Sequence, residues 1–206
     1  MDWQALIESQ PALASIPPAL RLVTEHRKIK AGETLFRIGD RVQSMFCVIT
    51  GEVRLIRHDQ HGAQIVLQRS RGGFIAEASL GSKAYHCDAV AAEAGSVLRF
   101  PARKFRASLD EDALFRDAWI SHLASEVRKL RAQCERLSLN SAAERIIHYI
   151  ESEGKVGAIN LNQSRKAWAA ELGLTHETLY RTLRRLQDDG TLDIDGARIA
   201  IAHTVS

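Results

Sequence analysis

The side chains best equipped for chemistry lie in SRKAWAAELGLTHETLYRTLRRL, from Ser164 to Leu186. Glu177 and Arg181 are four residues apart, so a helix would place them on one face. An arginine fork matches O6 and N7 of guanine, and a carboxylate accepts from the N4 amine of cytosine. His176, Thr178 and Arg184 flank that pair, and Arg165, Lys166 and Thr175 lie upstream. This chemistry suits base edges and phosphates in a DNA major groove. The same Glu/Arg spacing also suits a solvated, helix-stabilising ion pair worth a few tenths of a kcal/mol. Neighbouring residues decide between these readings.

A second dense run is AYHCDA, Ala84–Ala89. Tyr85, His86, Cys87 and Asp88 could serve a haem or metal ligand set, or a redox-active thiol. They could equally form a β-hairpin, with His86 and Asp88 on one face and Tyr85 and Cys87 on the other. A Cys87/His86 nucleophile pair would need both groups within hydrogen-bond reach. Adjacent strand residues point apart, so an enzyme is not expected. Three cysteines, Cys47, Cys87 and Cys134, are widely spaced, without zinc-type spacing. His58 and His61 fall near a hairpin tip, and no metal site is assigned to them.

These groups need elements to hold them. Before Gly173, Ala167, Trp168, Ala170 and Leu172 give a short helix with inward positions. Gly173 supplies a turn, and Thr175 caps a second helix whose Leu179, Leu183 and Leu186 pack inward. LQDDGTLDIDGARIAIA then reads as a wing, with Asp195-Gly196 as its two-residue turn. NSAAERIIHYIESE, residues 140–153, reads as a helix capped by Asn140 or Ser141, with Ile146, Ile147, Tyr149 and Ile150 available to a core.

Upstream, Ile120, Leu123, Val127, Leu130, Cys134 and Leu137 are spaced 3, 4, 3, 4, 3. That is an a/d seam on one long helix, predicting a parallel two-helix homodimer. The competing reading packs this helix on its own β domain. From about residue 27 to 107 the pattern is short runs punctuated by glycine: TLFRI, SMFCVI, EVRLIRH, QIVLQRS, DAVAAE and SVLRF. Many short strands predict a barrel or sandwich. Residues 1–25 read as helical pieces broken by Pro11, Pro17 and Pro18.

At 206 residues the chain has room for a large domain or two modest ones. Net charge is +3, and residues 140–206 hold 8 Lys/Arg against 9 Asp/Glu, so any DNA-binding charge must be local. No apolar run approaches the roughly 18–20 residues that cross a bilayer. MDWQALIESQ lacks the basic start of a secretory signal. A cytoplasmic location without membrane contact is expected.

Taken in order, these elements resemble the CRP/FNR family of bacterial transcription regulators. TLFRIGD and SMFCVITGEVRLIR look like its β-roll, and GGFIAEASL like the start of its phosphate-binding cassette. SAAERIIHYI resembles the helix after the dimer seam, and LGLTHETLYRTLRRL the recognition helix. The resemblance implies an α+β fold: a cyclic-nucleotide-binding-like β-roll over 1–110, a dimerisation helix over 111–139 and a winged helix-turn-helix over 140–206. It implies double-stranded DNA and RNA polymerase as partners, and a palindromic site with a TGA-like core read by Glu177 and Arg181. His176 stands where members tune the outer bases. Arg165, Thr175, Thr178 and Arg184 match positions that hold phosphates or nearby bases.

On the sensor side, Glu77 matches the glutamate that holds ribose in cyclic-AMP binders, but Ala76 replaces the preceding glycine. Cys87-Asp88 replaces the Arg-Ser pair that grips the cyclic phosphate, and Leu130-Arg131 stands where the base meets Thr-Ser. These six residues form the expected effector pocket. Cyclic AMP is not expected there, since no Arg fork fills the role lost at Cys87. An FNR-type iron–sulfur cluster is not expected either, because residues 1–46 contain no cysteine. The effector is left unidentified.

Overall fold

The computed structural model describes residues 1–202 and divides into two compact units, residues 1–124 and 125–206. The first opens with α1 (Trp3–Ser9), a 3-10 turn (Pro11–Ser15) and α2 (Pro18–Leu22), broken at the three prolines. Then come β1 (Glu25–Ile29), β2 (Thr34–Phe36), β3 (Ser44–His58), β4 (Gln64–Ser70), β5 (Gly73–Ile75) and β6 (Asp88–Pro101). The sheet runs β1-β6-β3-β4, with β2 paired to β6 and β5 to β3. This is the expected β-roll.

Two expected pairs of strands are each one long strand. SMFCVI and EVRLIRH merge into β3, and DAVAAE and SVLRF into β6. Thr50-Gly51 and Ala94-Gly95 are register shifts inside the pair rather than turns. The physical reason is close approach: a Cβ on Gly95 would sit 2.0 Å from the Thr50 carbonyl oxygen, and one on Gly51 2.7 Å from that of Ala94. Bulges thus bend the pair while it stays paired. Nor does the first half of β3 alternate. Ser44–Val48 is buried throughout, because β3 is an interior strand against which α3 (Ala102–Glu111) also packs.

An ion network lies on β3 and around the end of β4. Glu52 is 1% exposed and meets Arg54 at 2.5 Å, Arg71 at 2.6 Å and Arg69 at 3.5 Å. Burial pushes the Glu52 carboxyl up, but the Arg54 hydrogen bond and the three guanidinium charges outweigh it and hold it below the usual carboxylate range. The sign follows. A depressed folded value stabilises fully above the unfolded carboxylate pKa, and that contribution fades as pH falls through the folded value. We expect Glu52→Gln to lower stability by about 1–3 kcal/mol near neutral pH. The deficit relative to wild type should shrink in acid, as read by denaturant unfolding at several pH values; a constant deficit would make Glu52 a packing group only.

A long helix, α4 (Ala113–Ser138), contributes residues to both units. Phe115 and Trp119 join the first core, where Phe74, Phe100 and Phe105 form edge-on and tilted aromatic contacts. The second unit continues with α5 (Ala142–Glu153), β7 (Ala158–Asn160), α6 (Arg165–Glu171), α7 (His176–Asp188), β8 (Leu192–Asp195) and β9 (Arg198–Ile201). Its core gathers Ile146, Ile150, Trp168, Leu172, Leu179, Leu183 and Leu186 with Leu192 and Ile199. Ser141, not Asn140, caps α5, in a reciprocal capping box with Glu144. No helix among the described residues is long and apolar enough to cross a membrane.

Candidate DNA interface and effector cleft

Helix α6 is capped by Ser164, whose hydroxyl accepts from the Ala167 amide at 3.2 Å. Its inward face is Ala167, Trp168, Ala169 and Leu172; Ala170, expected inside, is exposed. Over seven residues, i, i+1 and i+4 define the buried face, and this shifts Ala170 outward. Gly173 then adopts φ +65°. The Thr175 hydroxyl accepts from the Thr178 amide at 3.1 Å and opens α7. Leu179, Thr182, Leu183 and Leu186 fill one face of α7.

The opposite face of α7 carries the expected reading groups. His176, Glu177, Arg181 and Arg184 are exposed, and Thr178 is half-buried. Among the described residues no ion pair joins Glu177 to Arg181; the helical pair on α7 is Arg184 with Asp188, at 3.9 Å. The solvated-pair reading therefore belongs to Arg184. Lys166 is exposed on α6 and Thr175 at the cap. Arg165 donates to the Gly196 carbonyl at 3.0 Å, which ties α6 to the wing turn.

One exposed aromatic was missed. Tyr180 lies 4.5 Å from the His176 ring centroid to centroid, with the Arg165 guanidinium 5.9 Å away. Spacing could have found it, since it is four residues from His176 and three from Glu177. The wing differs in two ways. Asp195 pairs with Arg198, so the two-residue turn is Gly196-Ala197, one residue later than expected. A third strand, β7, pairs with β9; three residues with one buried position leave too little alternation to read.

In the first unit, Ala84–Cys87 is not the expected hairpin strand. It is an irregular bend held by an isolated Arg41–Ala84 bridge and by main-chain bonds of Tyr85 to Asp40 and Gly39, and β6 begins only at Asp88. The in-and-out alternation survives without the strand: Tyr85 and Cys87 are buried, His86 and Asp88 half-buried. The Tyr85 hydroxyl explains the bend, since it accepts from the Ser44 amide at 3.1 Å and donates to the Ser44 carbonyl at 2.7 Å.

His86 Nδ1 lies 2.7 Å from the Ser79 hydroxyl. Burial pushes the Cys87 thiol up; Arg57 opposes this, and Asp88 and Glu77 add to it. The thiolate needed for nucleophilic or redox chemistry is thus disfavoured. Burial also raises the Cys47 thiol, to about 12. Asp88 accepts from the Ile38 amide at 2.7 Å. Ala76 keeps a left-handed backbone, φ +73°, despite its Cβ, at a cost of about 1–2 kcal/mol.

One arginine does lie near Cys87, namely Arg57. It comes from β3, across the sheet, and donates to the His86 carbonyl at 2.8 Å. Such a neighbour is separated by 30 residues and has no local signal. Leu130 and Arg131, also expected in the pocket, are exposed on α4. His61 sits in the β3–β4 turn, where Asp59 accepts from its amide. Among the described residues no three His, Cys, Asp and Glu gather as a metal set.

Known proteins share both halves. The cyclic nucleotide-binding domain model matches residues 26–112, and the Crp-like helix-turn-helix domain model residues 143–204. The chain is 27% identical to transcriptional activator protein FnrA of Stutzerimonas stutzeri, over 89% of this chain and 79% of that protein. It is 24% identical to the fumarate and nitrate reduction regulatory protein of Escherichia coli K12, covering 87% and 76%. Among solved structures, FixK2 of Bradyrhizobium japonicum aligns with TM-score 0.64 at 22% identity, covering 87% and 92%. DNR of Pseudomonas aeruginosa aligns with TM-score 0.55 at 22% identity, covering 98% and 95%. With a nucleotide-binding-type β-roll followed by a Crp-type helix-turn-helix over most of its length, this chain belongs to the CRP/FNR family of transcription regulators.

Proposed function

We propose that the chain acts as a homodimer on a palindromic promoter site with a TGA-like core, under control of an effector at the β-roll and dimer helix. The observation that carries the reading is on α7: Glu177 and Arg181 share an exposed face, unpaired with each other, above a face buried by leucines. Arg181 forks onto guanine, and Glu177 accepts from the cytosine amine. His176 tunes the outer bases. Arg165, Lys166, Thr175, Thr178 and Arg184 hold phosphates and fix register. Dimerisation runs along α4, and RNA polymerase is the partner the bound dimer serves. Fluorescence anisotropy on a TGA-containing palindrome and its scrambled duplex tests this. Equal affinity for both would leave a nucleotide-binding regulator without DNA readout.

Cyclic AMP is not the effector in this reading. Arg57 spends its Nε on the His86 carbonyl, and Asp88 brings a like charge toward an incoming phosphate. We expect no heat on calorimetric titration with cyclic AMP, and unchanged operator affinity. Binding that raises operator affinity would mean that Arg57 leaves His86 for the phosphate.

A further inference from the structure

Arg145, in the first turns of α5, meets four main-chain carbonyls. Its Nε donates to Leu139 at 3.0 Å, and Nη2 reaches Leu137 at 3.3 Å. Nη1 reaches Leu172 at 3.2 Å and Gly173 at 3.3 Å. Leu137 and Leu139 bracket Ser138, the last residue of α4. Leu172 caps α6, and Gly173 makes the turn that feeds α7. A single guanidinium thus ties the end of the helix carrying the apolar seam to the turn ahead of the recognition helix.

The residue type suits the task. The last carbonyls of a helix have no partner within it, and they form the negative end of its dipole. Two such ends converge here on one cation. Arginine offers five donors in a fixed fork, whereas lysine offers a point charge that cannot span both ends. The backbone of Arg145 is held in the first turn of α5, where its amide donates to the Ser141 carbonyl at 3.2 Å. The joint is also tight. A Cβ on Gly173 would lie 3.0 Å from Leu137 Cδ2 and 3.1 Å from Arg145 Nη1.

We propose that Arg145 is a positioning residue that sets the operator spacing the dimer accepts, by locking the recognition helix to the end of the α4 helix. The inference rests on the dimeric reading above. Two half-sites are a geometric pair. Each added base pair turns one half-site by about 35° and moves it about 3.4 Å. Two extra base pairs therefore demand about 70° of rotation and about 7 Å of travel. Arms held by a rigid fork cannot follow; arms released from it can.

Palindromes with identical half-sites and central spacers lengthened or shortened by one or two base pairs test this by anisotropy. For the wild type we expect the best spacer to be preferred over a two-base-pair misfit by about 100-fold. R145K, folded and dimeric, should bind the best spacer more weakly and prefer it by less than about tenfold; R145A should go further. A variant that weakens every spacing equally and keeps the wild-type ratio would overturn the proposal. So would an R145K protein that does not fold, since Arg145 would then be a stability residue. A wild type that is monomeric, or indifferent to spacing, would instead sink the dimeric reading before any variant is compared.

Discussion

Arg181→Ala is expected to weaken binding to a TGA-containing palindrome by about 1–3 kcal/mol per half-site, hence about 2–6 kcal/mol for a dimer whose half-sites act independently. The magnitude follows from the fork. Alanine removes two donors to guanine O6 and N7 and leaves those acceptors facing a void or water. Preference at that G·C pair should relax, while a non-specific duplex loses much less. Arg184→Ala separates the two kinds of contact. Arg184 lies one turn beyond Arg181 with its side chain 86% exposed, loosely facing Asp188. A phosphate contact predicts a similar loss on every duplex and a shallower salt dependence. Equal losses on specific and non-specific DNA from Arg181→Ala would make it a phosphate contact too, and end the readout claim.

Much of this was legible because local rules agreed. In the DNA-binding half, Gly173, the Thr175 cap and the leucines of α7 carry their signals within a few residues. The α5 cap was legible only as far as Asn140 or Ser141; the reciprocal bonds between Ser141 and Glu144 decide for Ser141. In the β-roll the glycines marked positions correctly but not their meaning. Gly51 and Gly95 look like turns in one dimension and are close approaches in three. The unread part is what distant segments bring together. Arg57 reaches the His86 carbonyl, Arg145 reaches Leu172, and the arginines of β3 and β4 meet on Glu52. A charged residue in an amphipathic run looks solvated until its partners are known. Ala170 failed for a smaller reason: a helix of seven residues has too few turns to fix its inward face.

Leu130→Glu is expected to convert the protein to monomers and to lower operator affinity by about 10²–10⁴-fold, the gain that linking two binding modules supplies. The seam is an unsatisfied apolar stripe. Ile120 is 57% exposed, Val127 46%, Leu130 55% and Leu137 45%, all on α4, and Cys134 is exposed among them. Leu123 is the exception, half-buried against the core of the first unit, so the seam has its free positions on either side of it. Large apolar side chains repeated every three and four residues are what a second helix covers by knobs-into-holes packing. The reading that the helix serves only its own β domain accounts for Phe115, Trp119 and Leu123. It leaves Val127, Leu130 and Leu137 in water. A glutamate at position 130 would bring two carboxylates together on a two-fold seam as water is removed, a like-charge and desolvation cost that apolar contacts nearby cannot offset. The chain itself should stay folded, since Leu130 is in neither hydrophobic core. Light scattering should then report a monomer with a wild-type melting profile. A dimer of unchanged affinity would place the interface on another face of the molecule.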